Sequence, residues 1–286
     1  MAVSSSAPVA VPFVQSVLHP TDFSDASLVA FDHALALIVR CRGDLTVLHA
    51  GIEEPGHPFE HFPAVRTTLQ RWGYLEAGSP SSAVFDRLGV RVRKISLQNR
   101  SPLEAAHRYL DKGDTDLVAL ATEGRDGLPA WLRPSTAERI ARHTRSMSLF
   151  VQEGVRGFVD HTSGRLSLKR ILVPVAQDPD AQTAVIAAVR LAGLISTPVE
   201  IVLFHVGDDP MPAVTTPHDP RLTFRTERRH GDIVHEIDRA VRELDVDLAV
   251  MATDGRDGFL GAMGRGSHTE RAVRQCACPV LAVPVV

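Results

Sequence analysis

The sequence predicts an α/β protein: two tandem copies of one Rossmann-like module, each with five strands in a parallel sheet. Three observations predict it. Residues 121–127 read Ala-Thr-Glu-Gly-Arg-Asp-Gly and return at 252–258 as Ala-Thr-Asp-Gly-Arg-Asp-Gly. Strand and helix patterns alternate along each copy, and strand, helix, strand in that order demands a parallel crossover. The strands are short continuous apolar runs such as 45–49, the signature of strands covered on both faces.

The repeat extends far beyond the heptapeptide. Residues 116–120 match 247–251, 134–139 match 266–271, 17–22 match 171–176, and 45–49 match 201–205. A module duplicated in register divides the chain into a first domain over 12–153, a linker over 154–168 and a second domain over 169–286. The linker is assigned on its polar, glycine-bearing composition.

Within the first copy, a strand over 13–18 follows a loose leader and ends at Pro20. Leu28, Phe31, Leu35 and Ile38 fall at helical spacing, giving a helix over 25–40 that Ser24 or Asp25 can cap and that stops at Gly43. The strand over 45–49 comes next. In the strand over 90–97, Arg91 and Arg93 alternate with apolar positions, which places it at a sheet edge with one face wet. Residues 102–111 form a helix with Ser101 as cap and proline in the first turn. A strand over 117–121, a helix over 135–145 and a closing strand over 149–151 complete the module. The first copy is 25 residues longer between its second-strand histidine and fourth-strand aspartate (His49 to Asp116 against His205 to Asp247). That insertion lies around 51–88 and contains a candidate helix over 66–75, whereas 207–220 is proline-rich and reads as loop.

Composition excludes several classes. At 286 residues the chain suits two ordinary domains. A net charge of −3 supplies no basic field for nucleic acid or anionic lipid. The start lacks a basic signal region, and no apolar run approaches the roughly 18 residues of a membrane helix, so the expectation is a soluble cytoplasmic protein. Cys41, Cys276 and Cys278 cannot form a paired framework and are read as reduced thiols. The thirteen histidines show no ligand spacing, and His49 and His205 are assigned structural hydrogen bonds. No nucleophile elbow, P-loop lysine or His-Glu-x-x-His motif is present, and no catalytic or metal-ligating residue is assigned.

The chemistry concentrates at the corner after the fourth strand. Gly124 and Gly255 occupy its turn, and Ser135 and Ser267 open a helix with Glu138 and Glu270 three positions on. Two readings stand side by side. Each serine and glutamate can form a capping box and nothing more. Alternatively, turn amides, hydroxyl and helix dipole form an anion cradle for a phosphate. Arg125 and Arg256 in the repeated turn either reach that phosphate or pair locally with Asp126 and Asp257.

Pro-Thr-Asp-Phe-Ser at 20–24, the strand ending in His49, the glycine-bearing corner, Gly266-Ser267 and Cys-Pro-Val-Leu at 278–281 together resemble the universal stress protein family over nearly the whole chain. That resemblance implies a five-stranded parallel sheet between helices in each domain, and an intrachain pseudo-dimer formed through the closing strands. It further implies ATP or a related adenine nucleotide, with Mg, at the carboxyl ends of the strands, where nucleotide-binding members carry a Gly-x2-Gly-x9-Gly-Ser/Thr pattern. Carried over to this chain, the nucleotide-contacting positions of the first domain are Pro20, Thr21, Asp22, Ala50, Ala121, Gly124 and Ser135. Those of the second are Pro174, Val175, Val206, Ala252, Gly255, Gly266, Ser267 and His268.

Both sets depart from the family pattern. Ala121 and Ala252 replace the first glycine, and Pro134 replaces the third in the first domain. Proline has no N–H, and a lost charge-assisted bond costs about 1.5–3 kcal/mol. In the second domain Ala176 replaces the acid, with Gln177 or Asp178 as alternatives for the same space, and ten residues instead of nine separate Gly255 from Gly266. One copy keeps the acid and the other the phosphate loop. The second is favoured for phosphate, and the first if the acid recruits a divalent cation. The implied role is a stress-response regulator with an unknown protein partner, with further homo-oligomerisation left open. The alternative is a nucleotide-free scaffold acting through protein contacts, and slow ATP hydrolysis ranks last.

Overall fold

The computed structural model describes residues 12–51, 59–98, 100–113, 115–122, 136–253 and 268–285. Its first half runs β1 (Ser16–Pro20), α1 (Asp25–Cys41), β2 (Asp44–Gly51), α2 (Val65–Arg71), α3 (Ala83–Leu88), β3 (Arg91–Gln98), α4 (Pro102–Leu110), β4 (Leu117–Thr122), α5 (Thr136–His143) and β5 (Met147–Gln152). The second runs β6 (Arg170–Pro174), α6 (Gln182–Ala192), β7 (Val199–Val206), β8 (Leu222–Arg229), α7 (Ile233–Glu243), β9 (Leu248–Thr253), α8 (His268–Gln275) and β10 (Val280–Pro284).

The two halves share one ten-stranded sheet in the order β3-β2-β1-β4-β5-β10-β9-β6-β7-β8. Pairing is parallel within each half and antiparallel only at the seam, where Phe150 meets Val280, Leu149 meets Leu281 and Ser148 meets Ala282. The closing strands therefore join the halves, as the resemblance implied. β3 and β8 are the outer strands; the face-to-face alternation of β3 (exposed Arg91 and Arg93 against half-buried Val92) is what an edge position tolerates. Among the described residues no helix is long and apolar enough to cross a membrane.

Helices cover the sheet in two apolar layers. Phe31, Leu35 and Ile38 of α1, the inserted Leu69 and Trp72, and Ala184 and Ala188 of α6 pack on one face. Ala105 of α4, Ile140 of α5, Ile237 of α7 and Val273 of α8 pack on the other. Ser24 caps α1 by accepting from the Ser27 amide at 3.2 Å.

Three local expectations are corrected. β1 starts at Ser16, not at 13: the amides of Gln15 and Ser16 go to the Asp116 carboxylate at 2.7 and 3.0 Å instead of to a neighbouring strand. Phe13 and Val14 are buried all the same, and Arg190 of α6 takes the Pro12 and Phe13 carbonyls. Ser101 sits at the start of α4, yet its hydroxyl makes no cap bond, since Pro102 already presets the first turn and offers no N–H. The insertion holds two short helices, α2 and α3, in place of one over 66–75.

The connector over 154–168 packs closely: Phe158, Leu166 and Leu168 are buried, and Val159 bridges Leu166. Its glycines serve close approach. A Cβ at Gly157 would lie 2.3 Å from the His33 ring, and one at Gly164, which adopts φ +63°, 2.3 Å from Trp72. The His33 Nε2 accepts the Phe158 amide at 3.1 Å, Nδ1 donates to the Val29 carbonyl at 2.8 Å, and Trp72 Nε1 donates to the His161 carbonyl at 2.8 Å. Asp32 and His161 pair at 2.5 Å. This cover explains why α1 is buried nearly all round, a pattern unlike that of a surface helix.

Candidate functional site

At the carboxyl ends of β1, β2 and β4, a cavity of about 170 Å³ opens between the strands, α4 and α5. Pro20, Thr21, Asp22, Ala50 and Ala121 line it, five of the first-domain residues named from sequence. Ser27, Leu48, Pro102, Leu120 and the start of α5 (Thr136, Ala137, Ile140) complete the wall. Apolar strand residues thus floor the cavity, and a polar loop forms its rim.

That loop is rigidly wired. The Thr21 amide donates to Leu48 O at 2.8 Å, while the Thr21 hydroxyl oxygen accepts from the Phe23 amide at 3.1 Å and from the Ser27 hydroxyl at 2.8 Å. Asp22 Oδ1 accepts the Ser24 amide at 3.0 Å and the Ser24 hydroxyl at 2.7 Å. Burial pushes the Asp22 carboxyl up, but these Ser24 bonds outweigh it and hold it below the usual range, so Asp22 is an anion at neutral pH. His19, fully buried beneath the loop, has its pKa driven down to about 4 by burial. It lies 3.0 Å from Ala119 O through Nδ1, which makes Nδ1 the protonated nitrogen of a neutral ring, and its Nε2 is 3.4 Å from the Ser27 hydroxyl.

The second half repeats the frame without the polar rim. The Val175 amide donates to Phe204 O at 2.8 Å, as Thr21 does to Leu48. The histidines are also twinned: His49 Nδ1 is 2.8 Å from Thr21 O, and His205 Nδ1 is 2.8 Å from Val175 O. Yet Val173, Val175 and Ala176 stand where the first half has His19, Thr21 and Asp22. Pro174 ends β6, Val206 ends β7, Ala252 lies in β9, and His268 opens α8 with an exposed side chain. Gly124, Ser135, Gly255, Gly266 and Ser267, with Arg125, Pro134 and Arg256, lie outside the described residues.

Sequence reasoning missed two groups. His19 and Ser27 belong to no motif; their one signal is that Val173 replaces His19 in an otherwise matching strand. Glu138, read only as a capping-box member, has a partner in the other half. Arg274 of α8 grips its buried carboxylate with Nε at 2.7 Å and Nη2 at 2.6 Å. One residue earlier on α8, Val273 O accepts from Gln152 Nε2 at 2.6 Å. The helix that walls the first cavity is therefore anchored to the helix that opens the second corner.

Two α/β halves, each with parallel strands covered by helices and joined through one sheet, define a Rossmann-like fold. The sequence model of the universal stress protein family matches residues 14–152 and 216–284, more than half of the chain. The chain belongs to the universal stress protein family. Universal stress protein MJ0531 of Methanocaldococcus jannaschii is 25% identical over 141 residues, spanning 49% of this chain and 82% of that protein. Among solved structures, a universal stress protein from Archaeoglobus fulgidus superposes with a TM-score of 0.61 at 15% identity, covering 96% of this chain and 97% of its own. Protein PA1789 from Pseudomonas aeruginosa superposes with a TM-score of 0.58 at 14% identity, covering 95% and 92%. At such identities these structures establish the shared two-half fold and nothing finer.

Proposed function

We propose that this protein is a stress-response regulator that senses an adenine nucleotide, ATP or a relative, through its first half. The cavity at the carboxyl ends of β1, β2 and β4 carries this reading, because residues picked from the family pattern converge on it. Ligand clefts for small molecules usually measure about 300–1,000 Å³, so a cavity of 170 Å³ would enclose the base or sugar end and leave phosphates outside it. Ionised Asp22 on the rim supplies an acceptor for sugar hydroxyls or a charge for a phosphate-bound magnesium. Among the described residues no cluster of three or more His, Cys, Asp or Glu could hold a metal ion. Magnesium would therefore arrive with the phosphates.

This assignment shifts the weight from the second copy to the first. A cradle of amides attracts phosphate, but the base also needs a hollow and the sugar needs polar partners, and the rim of β6 offers valine and alanine instead. That same apolar rim favours a second reading for the second half alone: a nucleotide-free scaffold that passes the signal to an unknown protein partner.

The test is direct. Purified protein is denatured and its supernatant chromatographed for bound nucleotide, and melting is then followed during titration with ATP, with and without magnesium. Ligand at about 100 times its Kd stabilises by about 2.7 kcal/mol, which reads as a shift of several degrees. Asp22→Ala abolishes the magnesium-dependent part of that shift. A melting curve indifferent to ATP, together with no co-purified nucleotide, replaces this reading with the scaffold.

A further inference from the structure

Phe23 adopts φ +66°, the left-handed region that a bulky residue holds only when its surroundings impose it. The imposing groups are visible. Its ring stacks on His49 at 4.1 Å between centroids and 24° between planes, and the inserted Phe62 meets it edge-on at 5.3 Å. Phe62 is buried and also faces the His49 ring edge-on at 6.4 Å. His49 in turn holds the Thr21 carbonyl, and the Phe23 amide holds the Thr21 hydroxyl. Aromatic packing thus runs from the insertion to the two residues that rim the cavity.

The second half provides the control. It lacks the inserted residues, Gln177 stands where Phe23 does, and Gln177 does not adopt positive φ. His205 there has, on its far side, the Asp209 carbonyl of its own following loop 3.2 Å from Nε2. The strained residue and the inserted ring occur together in the half that has the polar rim.

We propose that Phe62 is a positioning residue: by clamping Phe23 against His49, the insertion holds Thr21 and Asp22 in their ligand-ready geometry, so that binding in the first half depends on the insertion. Without the ring, Phe23 is free to relax to negative φ, and the chain on both sides of it turns with it. Asp22, one residue away, then leaves the rim. The proposal rests on the nucleotide reading for its affinity arm only.

The experiment uses the full chain and two readouts. In the unliganded protein, Phe62→Ala shifts the backbone amide NMR resonances of residues 21–24 while those of the matching loop at 175–178 stay in place. In calorimetry, Phe62→Ala weakens Mg-ATP binding about tenfold. Phe23→Gly is the discriminating background, because glycine holds positive φ without help. In that background Phe62→Ala changes affinity by less than about twofold, although its cost to stability persists. Should Phe62→Ala fail to fold, Phe62→Leu replaces it, with the same expectations. Unmoved resonances at 21–24, or an equal affinity loss in both backgrounds, overturns the proposal. A wild-type protein that binds no Mg-ATP defeats the nucleotide reading instead, and the resonance arm still decides whether the clamp exists.

Discussion

The two halves share a frame and differ at the rim, and the contrast separates what both copies of the fold keep from what the first alone carries. Both halves staple their first and fourth strands with one aspartate: Asp116 takes the Gln15 and Ser16 amides, and Asp247 takes those of Lys169 and Arg170 at 2.6 and 2.9 Å. Both also fix the loop after the first strand with a histidine from the second. Buried amides and carbonyls must be satisfied in any copy of the fold, so these devices survive duplication. The chain His19, Thr21, Ser27 and Asp22 exists once, buries polar groups at a cost, and gives way to valine and alanine in the other half.

The largest effect expected from breaking the symmetry is at the seam. Removing Arg274 leaves the Glu138 carboxylate, 2% exposed, without its bidentate partner. Loss of one member of a buried pair costs about 3–5 kcal/mol, at the lower end here because the Arg274 side chain remains 23% exposed. Arg274→Met should lower the urea midpoint of a single transition reported equally by probes in both halves. Independent modules would instead unfold in two steps.

Acid should come next, and it should act on the first half. His19 and His33 both have pKa values lowered by burial from 6.5 to about 4. Between those values the unfolded histidines bind protons that the folded ones refuse, so stability is full above about pH 6.5 and falls as pH drops toward 4. The two together account for a loss of about 3 kcal/mol, by the linkage of roughly 1.36 kcal/mol per pKa unit discounted for relaxation. Denaturation of the wild type at pH 7 and pH 4.5 measures it, and the His19→Asn, His33→Asn double variant should show a flatter profile. Protonating His33 also removes the acceptor for the Phe158 amide, so in the same interval the connector amides should lose protection relative to their intrinsic exchange rates.

Smaller losses sharpen the contrast further. Gly157→Ala and Gly164→Ala should each cost about 2 kcal/mol by overpacking against His33 and Trp72, measured as a fall in unfolding free energy. A harmless substitution at either position would show that these close approaches yield without cost. Smallest of all is the gap between the twinned aspartates: Asp247→Asn should cost about 1 kcal/mol more than Asp116→Asn. Among the described residues, Asp247 also receives a guanidinium, that of Arg156 at 2.7 Å, while Asp116 is joined to none. Equal losses in chemical denaturation would remove Arg156 from the comparison.

Much of this was legible in local pattern. Phe31, Leu35 and Ile38 mark α1 by spacing alone, Arg91 and Arg93 reveal the wet edge of β3, and the repeated residues 121–127 announce the duplication. Pro20, Thr21, Asp22, Ala50 and Ala121 could be grouped through the family pattern, and they line one cavity. The burial of Phe158 and Leu168, the reach of Phe62 to Phe23 and the grip of Arg274 on Glu138 left no such trace. A polar, glycine-bearing connector has the same composition whether it is loose or packed, and a single aromatic in an insertion has no period.

The sequence alone determined the order of the elements, the two-fold repeat and the chemistry of the corner, because helical and strand periodicities and a duplicated motif are properties of neighbouring residues. Tertiary structure decided that a polar loop rims a cavity in the first copy, how the copies lock together, and why φ at Phe23 is tolerable. Those outcomes depend on groups far apart in the chain, such as Glu138 with Arg274 and His33 with Phe158. Their meeting is set by how two apolar layers close on one sheet, which no local window of residues records.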